Sequence, residues 1–404
     1  MSAPNDVLVT GIGLVSSLGE GLDTHWQALA VEGARPFAAE TEKFKPFPVF
    51  PMVRLELDKQ IPRRADQRQM ETWQRLGTYT AGLALDDAGI SGNLDLLSHM
   101  DMVVAAGGGE RDLEVDGQIL AGLETADDTA SFLNEHLVND LRPTLFLAQL
   151  SNLLAGNISI VHKVTGSSRT FMGEETAGIS AVEVAARRIR AGQGELFLVG
   201  AAYNAERKDM LMSLAMGRTL WQGEPAPVWE RAASGEGGMI TGSAGAFLVL
   251  ESRAHAAARG KTGYAKLTAA LSGRSRRRTG EAAACARRQF DELAPLLGNA
   301  PPGILSGANG MASTTTEERA LWEGLRAEGR VGAIRAPQTL IGSAVEAAFP
   351  VQVALAALAI ARQGFYRPTD NSGIEQAAET PSQILATSWG FWRGEGMALV
   401  EAAD

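Results

Sequence analysis

The chain contains one cysteine and five histidines, the side chains that most often act as nucleophile, general base or metal ligand. Cys285 lies in residues 282–288, which have helical spacing and no nearby histidine, and a cysteine there is usually a buried small hydrophobic residue. The histidines stand at positions 25, 99, 136, 162 and 255, without a metal-ligand spacing such as HxxxH, and residues 256–404 contain none. The sequence therefore predicts no cysteine–histidine site, no disulfide within the chain and no metal site.

Two clusters of arginine stand out on a chain whose formal net charge is −10. The clusters are Arg63, Arg64 and Arg68, and the run RSRRR at residues 274–278, which includes Arg276 and Arg277. Four arginines within five residues create a local positive field that could hold a phosphate group or an acidic helix. A solvated surface is the alternative interpretation of each cluster.

Composition limits the class of protein to which the chain can belong. With 404 residues and 45% hydrophobic side chains it can bury a large core, and a pI near 5.2 argues against a nucleic-acid surface. The N-terminal residues lack the basic region followed by an apolar stretch that marks a signal peptide. The most apolar segment, residues 351–360, is too short to span a bilayer. We therefore expect a soluble, cytoplasmic protein with neither a membrane nor a nucleic-acid partner.

Short apolar runs alternate with amphipathic helical stretches along the whole chain, which is typical of layered α/β folds. Because this alternation repeats, we expect two similar halves, residues 1–250 and 251–404. Near the N-terminus, Gly11-Ile12-Gly13 follows a predicted strand as in a dinucleotide-binding motif, but the third glycine of that motif is absent. We interpret these glycines as a tight turn beneath a helix.

A predicted strand at residues 169–172 leads into a predicted helix that ends at Arg190. The junction has the sequence GEETAG (residues 173–178), which places Glu175 in the first turn of the helix. Backbone N–H groups and the helix dipole stabilise negative charge at such a position. A general acid would need a raised pKa, and the helix N-terminus favours the opposite shift.

Four segments resemble type II β-ketoacyl-ACP synthases in order and spacing, over essentially the whole chain. They are VLVTGIGLVSSLGEGLDTHWQAL (residues 7–29), LLAGNISIVHKVTGSSRTF (153–171), SGEGGMITGSAGAFLVLESRAHAAARG (234–260) and the GF of WGF (389–391). The resemblance implies a thiolase-like fold, in which duplicated α/β halves pack as five layers, α-β-α-β-α, and form a dimer. It also implies an acyl carrier protein as partner, which supplies the phosphopantetheine arm, so that the chain needs no cofactor of its own.

The family's catalytic residues are replaced at every matching position. Members join an acyl group held on a cysteine to a carbanion made by decarboxylating malonyl-ACP. The cysteine of the family's Thr-Ala-Cys-Ala-Ser-Gly matches Glu175, and the histidine of Asn-x-His-Gly-Thr-x-Thr matches Asn309. In Lys-x-x-x-Gly-His-x-x-Gly, Gln338 replaces the lysine and Ser343 the second histidine. A carboxylate is a poor acyl acceptor because the product is a labile anhydride, so the resemblance implies a member without condensing residues.

Further residues take their expected roles from the same resemblance. Phe391 matches the gatekeeper phenylalanine, whereas Trp392 and Arg393 replace a flexible Gly-Gly, which should stiffen or plug the gate. The first arginine cluster matches a segment that docks the carrier protein, and the second falls in a loop near the active-site entrance. We therefore expect carrier-protein docking at Arg63, Arg64, Arg68, Arg276 and Arg277.

The hypothesis that we favour is a non-condensing subunit that resembles the chain-length factors of bacterial type II polyketide and specialised fatty-acid systems. Those proteins keep the fold, lack the cysteine and pair with an active ketosynthase. Residues 169–172 then match the strand that pairs across the dimer, and residues 101–120 match interface elements beside the tunnel for the growing chain.

Three other hypotheses stay open on the sequence. The chain could be a malonyl-ACP decarboxylase in which Asn309 and Ser343 donate hydrogen bonds to the developing enolate oxygen. It could be a homodimeric module that binds acyl carrier protein. It could also have an unforeseen activity in which Glu175 acts as a base.

Overall fold

The computed structural model describes residues 3–30, 37–141, 145, 149–377 and 379–403. Its strands are β1 (Val7–Ser16), β2 (Gly19–Glu20), β3 (Val49–Phe50), β4 (Asp101–Ala106), β5 (Ser168–Met172), β6 (Leu196–Tyr203), β7 (Thr241–Gly242), β8 (Ala244–Ser252), β9 (Ala265–Gly273), β10 (Gly303–Leu305), β11 (Ile334–Arg335), β12 (Gln383–Trp389) and β13 (Glu395–Glu401).

The α-helices are α1 (Leu22–Ala30), α2 (Arg64–Gln69), α3 (Thr72–Asp87), α4 (Leu94–His99), α5 (Leu113–Leu123), α6 (Thr129–Asn139), α7 (Leu153–His162), α8 (Glu175–Arg190), α9 (Lys208–Met216), α10 (Val228–Ala233), α11 (Arg253–Ala258), α12 (Glu281–Leu293), α13 (Ala312–Ala327), α14 (Gln338–Ile341) and α15 (Ala348–Ala361). Short 3-10 helices cover Leu57–Lys59, Ala294–Leu296 and Val345–Ala347.

The main sheet has eleven strands, of which β2 pairs only with β1. The other ten form two sets of five, one from the N-terminal and one from the C-terminal part of the chain, and the two sets have the same topology. In space the first set runs β1-β8-β6-β4-β5 and the second runs β9-β13-β12-β10-β11. Numbered along the chain within its own set, each follows the order 1-5-4-2-3, with two antiparallel pairs and then two parallel pairs. The sets meet where β1 and β9 pair antiparallel, with Val9 opposite Ala265. This shared topology confirms the predicted duplication.

Helices α8 and α15 form the middle layer, where they contact each other and strands of both sets. Helices α3 and α7 cover the outer face of the first set, and α12 and α13 cover that of the second. Along β4, Val103 packs into the core that holds the middle layer and Val104 packs on the opposite side with the outer helices. Helix α15 is buried without interruption from Phe349 to Ala359, as expected for a helix enclosed on all sides. The layers confirm the predicted α-β-α-β-α thiolase-like fold.

The interpretation of Gly11-Ile12-Gly13 as a turn is wrong, because these residues lie inside β1. A Cβ on Gly11 would lie 2.5 Å from the carbonyl oxygen of Ala84, and one on Gly13 would lie 2.0 Å from that of Thr80. Both carbonyls belong to α3. The glycines are therefore required for the helix to pack directly on the strand.

Among the residues that the structure describes, no helix is both long enough and apolar enough to cross a membrane.

Candidate functional site

Glu175 is the first residue of α8, directly behind β5, where the sequence places it. The chain turns between the two elements at Gly173, whose φ of +141° favours glycine. Glu175 is 2% exposed, and its Oε1 accepts the backbone N–H of Phe391 at 3.2 Å. Its Oε2 is buried with no hydrogen-bond partner among the described residues. The carboxyl group is thus enclosed and half-satisfied.

Burial raises the pKa of Glu175 to about 7, and the hydrogen bonds from its own N–H and from Phe391 only partly oppose this shift. From its position at a helix N-terminus we expect the pKa of Glu175 to be lowered, so this expectation is wrong. The loss of water around the carboxylate outweighs the helix dipole because the side chain is enclosed by the middle layer and by the segment that contains Phe391.

A second buried carboxyl group, that of Glu346, lies close enough for the charge of Glu175 to act on it. Burial raises its pKa to about 8, and the charge of Glu175 adds to the shift. A Cβ on Gly107 would lie 2.4 Å from Oε1 of Glu346, so this carboxyl packs directly on the backbone after β4. Tyr203, at the end of β6, has a buried hydroxyl without a described partner, and its pKa is raised mainly by burial and further by the charge of Glu346.

Sequence reasoning did not single out Glu346, although the signal was present. Glu346 occupies the last glycine position of the family's Lys-x-x-x-Gly-His-x-x-Gly. A glutamate in place of a glycine fills space beside the position of the nucleophile.

Asn309 is buried, and its side chain holds the loop in which it lies. The Nδ2 group donates to the carbonyl of Trp389 at 3.1 Å, and Oδ1 accepts the N–H of Met311 at 3.0 Å. Asn309 and Glu175 therefore bind the same segment of chain, at residues 389 and 391. The amide performs a local structural task at the position that matches a catalytic histidine.

A buried carboxylate, Glu318 on α13, supports that loop from below. Its Oε1 accepts the hydroxyl of Ser306 at 2.7 Å, the N–H of Gly307 at 3.1 Å and the indole N–H of Trp322 at 3.0 Å. The hydroxyl of Thr387 on β12 donates to the same oxygen at 3.3 Å. Burial raises the pKa of Glu318 to about 7. This hub fixes the ends of β10 and β12, from which the loop emerges.

Ser343 and Gln338 are both buried in the segment that leads into α15. The backbone of Ser343 is fixed on both sides, because its N–H donates to Ile240 at 2.8 Å and its carbonyl accepts from Gly242 at 2.9 Å. Oε1 of Gln338, at the start of α14, is buried without a partner among the described residues. That Ser343 and Gln338 cannot perform the catalytic roles of the family's second histidine and lysine stays a prediction.

We call residues 390–394, which contain Phe391, the gate segment, and neighbouring side chains bind its backbone. The guanidinium of Arg277 forms an ion pair with the buried Glu395 and donates to the carbonyls of Gly390 and Gly394. Its side chain is only 16% exposed. Arg277 could therefore dock a carrier protein only if its guanidinium gave up these bonds to Glu395 and to the gate segment.

The other arginines point to the surface. Arg63, Arg64 and Arg68 are exposed at the start of α2 and along it. Arg276 is exposed beside a cavity of about 400 Å³. The cavity is lined by Gly217, Thr219, Arg274, Ser275, Arg276, Arg277, Met311, Ser313, Phe391, Trp392 and Arg393. This cavity lies at the predicted entrance, and its rim is strongly basic.

Cys285 is buried in α12, as the sequence predicts, and burial raises the pKa of its thiol to about 11. A thiol with such a pKa is almost entirely protonated at neutral pH and is a poor nucleophile. In the part of the chain that the structure describes, no group of three or more His, Cys, Asp or Glu side chains could hold a metal ion.

The known proteins that the chain resembles fall into one group. The 3-oxoacyl-[acyl-carrier-protein] synthase 2 of Vibrio harveyi is 24% identical over 269 residues, which cover 65% of this chain. The match spans 61% of that relative's own length, slightly less than two thirds.

Two solved structures match nearly the full length. The ishigamide ketosynthase/chain length factor has a TM-score of 0.78 at 20% identity and covers 99% of both chains. A type II polyketide acyl-carrier protein in complex with its ketosynthase gives a TM-score of 0.72 at 17% identity, over 99% of this chain and 100% of that one. At these identities the likeness concerns the fold alone.

The family model described as β-ketoacyl synthase, N-terminal domain, matches residues 4–256, which is more than half of the chain. The matched region contains β1, the β5–α8 junction with Glu175, and β8. The chain belongs to the β-ketoacyl synthase family.

Proposed function

We propose that the chain is a non-condensing, chain-length-factor-like subunit that pairs with a condensing ketosynthase in fatty-acid or polyketide chain elongation. The observation that carries the proposal is the environment of Glu175. A carboxyl at the position of the acyl-accepting cysteine is 2% exposed and bonded to the gate residue Phe391. It can neither form a stable acyl intermediate nor admit an acyl group to its enclosed oxygens.

The replaced histidine positions support the same proposal. Condensation needs donors aimed at the developing enolate oxygen. One N–H of the Asn309 amide donates to Trp389, and the amide oxygen accepts from Met311. The malonyl-ACP decarboxylase hypothesis depends on Asn309, and these bonds leave it only one N–H for an enolate oxygen. The neighbouring carboxyls Glu175 and Glu346 would also oppose a malonyl carboxylate when they are ionised.

An apolar face supports a partner subunit. Strand β5 is the last strand on its side of the sheet, and Met172 at its end is 72% exposed. Helices α5, α6 and α9 enclose an apolar groove of about 840 Å³ that is lined by Leu113, Leu120, Leu133, Leu137, Met210 and Met212, among other residues. Exposed strand edges and large apolar patches commonly mark protein interfaces. We propose that the ketosynthase partner covers β5 and this groove.

The basic surfaces support a carrier protein as the second partner. The exposed Arg63, Arg64 and Arg68, together with Arg276 at the cavity rim, present positive charge on an acidic chain. We propose that they dock an acyl carrier protein, which supplies the phosphopantetheine arm, so that the subunit requires no cofactor. We also propose a cytoplasmic location for the protein. The boundary between the two halves at residue 250 likewise remains a proposal.

The test is a comparison of three reactions with acyl-ACP and malonyl-ACP, followed by intact mass of the carrier protein. The reactions contain this chain alone, a copurifying ketosynthase alone, and the two together. We expect efficient condensation in the mixture and no acyl adduct on this chain. The matched control is the same mixture in which the ketosynthase cysteine is changed to alanine, and it should be inactive.

Loss of CO2 or an acyl adduct with this chain alone would overturn the proposal in favour of an enzyme. A homodimer that binds carrier protein, forms no complex with a ketosynthase and has no activity would favour the binding-module hypothesis.

A further inference from the structure

The gate segment forms the tip of a hairpin between β12 and β13. The N–H of Gly390 donates to the carbonyl of Gly394 at 2.9 Å, which closes the tip. Gly394 has a φ of +97°, a conformation that favours glycine. The hairpin therefore has a compact shape of its own before any contact with the rest of the molecule is counted.

Two adjacent residues at the start of α8 hold one side of the tip. Oε1 of Glu175 accepts the N–H of Phe391 at 3.2 Å. The hydroxyl of Thr176 donates to the carbonyl of Arg393 at 3.1 Å. The first two residues of the helix thus bind the segment at residues 391 and 393, once as acceptor and once as donor.

Arg277 holds the other side of the tip. Its guanidinium reaches the carbonyls of Gly390 and Gly394, and it pairs with Glu395, whose side chain is 1% exposed. Arg277 has a φ of +58°, which is uncommon for a residue with a side chain. The hydroxyl of Ser275 donates to the same carboxylate oxygen at 2.9 Å. Removal of the arginine would leave a buried carboxylate without its cation.

The contact between the tip and the helix is close. A Cβ on Gly394 would lie 2.1 Å from the Thr176 hydroxyl oxygen, and one on Gly390 would lie 3.2 Å from Oε2 of Glu175. The backbone of the tip therefore packs directly on the two side chains that bind it, without space for a substrate between them.

We propose that Glu175, Thr176 and Arg277 form a clasp that keeps the gate segment closed over the position of the nucleophile. Glu175 acts as a positioning residue for the gate. The consequence of the clasp is that a phosphopantetheine arm docked at this subunit stays outside the position of the nucleophile. This consequence rests on the proposed function. Its structural part depends only on the contacts described above.

Hydrogen–deuterium exchange of peptides that span residues 389–395 tests the clasp in the full-length protein. We expect exchange of this segment to be about tenfold faster in Glu175→Ala, as for the loss of one hydrogen bond. Thr176→Val, which keeps the shape and removes the donor, should accelerate exchange by a similar factor. Arg277→Ala should have the largest effect, and if it does not fold the other two variants carry the test.

Two variants separate the clasp from a general effect on packing. Arg276→Ala removes the adjacent arginine, whose guanidinium has no hydrogen bond or ion pair with the gate segment among the described residues, and should leave exchange unchanged. Glu175→Gln keeps an acceptor oxygen and should preserve most of the protection. Wild-type exchange at the rate of an unfolded peptide, or unchanged exchange in both Glu175→Ala and Thr176→Val, would overturn the clasp.

The exchange measurement uses no substrate, so it can fail independently of the proposed function. A protected segment in a chain that condenses alone contradicts the proposed function and leaves the clasp. A mobile segment in a chain that does not condense contradicts the clasp and leaves the proposed function.

Discussion

Oε1 of Glu175 accepts the backbone N–H of Phe391 at 3.2 Å, so the residue at the position of the family's nucleophile holds the residue at the position of its gate. One side chain thereby combines two departures from the condensing enzymes. It stands where the family has the thiol that carries an acyl group, and it binds the backbone of Phe391, which we expect to be the gate.

Restoring the cysteine alone should not restore condensation. In Glu175→Cys the thiol gains the helix N-terminus but has no histidine beside it, because Asn309 and Ser343 occupy those positions. We expect no acyl adduct after incubation with acyl-ACP under conditions in which an active ketosynthase is fully acylated, as measured by intact mass. Glu175→Ser is the matched control without a thiol. An adduct on Glu175→Cys that is absent from Glu175→Ser would show that the rest of the site is competent.

The buried carboxyls predict a stability that falls as pH rises. The folded chain raises the pKa of Glu175 from 4.5 to about 7 and that of Glu346 from 4.5 to about 8. The protonated forms are therefore favoured by folding. The contribution of these two groups to the free energy of unfolding is fully present below pH 4.5 and is lost as pH rises to about 8.

Glu346→Gln removes the part of this dependence that comes from Glu346, because a neutral amide does not ionise, and leaves the part that comes from Glu175. Between pH 5.5 and 8.5 we expect the free energy of unfolding to fall by about 3 kcal/mol more in the wild type than in the variant. Urea unfolding at the two pH values measures this difference. Glu195→Gln, at an exposed carboxyl, should follow the wild type. Parallel pH curves for wild type and Glu346→Gln would contradict the burial argument.

The fold could be predicted from the sequence because its signals are local and repeated. Alternation of apolar runs and amphipathic stretches indicates α/β layers, and the GEETAG sequence places Glu175 at a strand-to-helix junction. The misread glycines show the limit of such signals. Gly11 and Gly13 are small because α3 crosses β1 there, and that contact joins residues about 70 positions apart.

The electrostatics of the site could not be predicted, because they depend on burial. The helix N-terminus acts on Glu175 through adjacent residues and is visible in the sequence. Enclosure by Phe391 and the proximity of Glu346 come from distant parts of the chain. Likewise, the run of arginines indicates positive charge, but it gives no sign that Arg277 turns inward to Glu395.

The close approach of α3 to β1 gives a stability prediction with an internal control. Gly13→Ala would place a Cβ 2.0 Å from the carbonyl oxygen of Thr80 and should destabilise the fold by about 2–4 kcal/mol. Gly117→Ala lies in α5 with open space around the new Cβ and should stabilise that helix by about 0.5–1 kcal/mol. Equal effects of the two variants in urea unfolding would contradict the packing argument.

Glu318 should be essential for the loop that carries Asn309. Glu318→Ala leaves the buried donors of Ser306 and Trp322 without their acceptor, whereas the N–H of Gly307 keeps its bond to the hydroxyl oxygen of Thr387 at 2.9 Å. We expect a loss of about 3 kcal/mol in urea unfolding. Glu318→Gln keeps one acceptor oxygen and should lose less than half of that. If Glu318→Gln is as unstable as Glu318→Ala, the charge rather than the acceptor supports the loop.

The proposed partner face predicts a specific loss of assembly. Met172 is 72% exposed at the end of β5, and Met172→Asp would place a charge where we propose that the ketosynthase packs. We expect the amount of copurifying ketosynthase to fall by about tenfold or more, as for a buried interface residue. Leu94→Asp on α4 introduces the same charge at a residue that is 64% exposed and lies outside the groove and β5. It should copurify the ketosynthase as the wild type does. Equal recovery with both variants, from chains that unfold at the same urea concentration, would place the partner on a different face of the molecule.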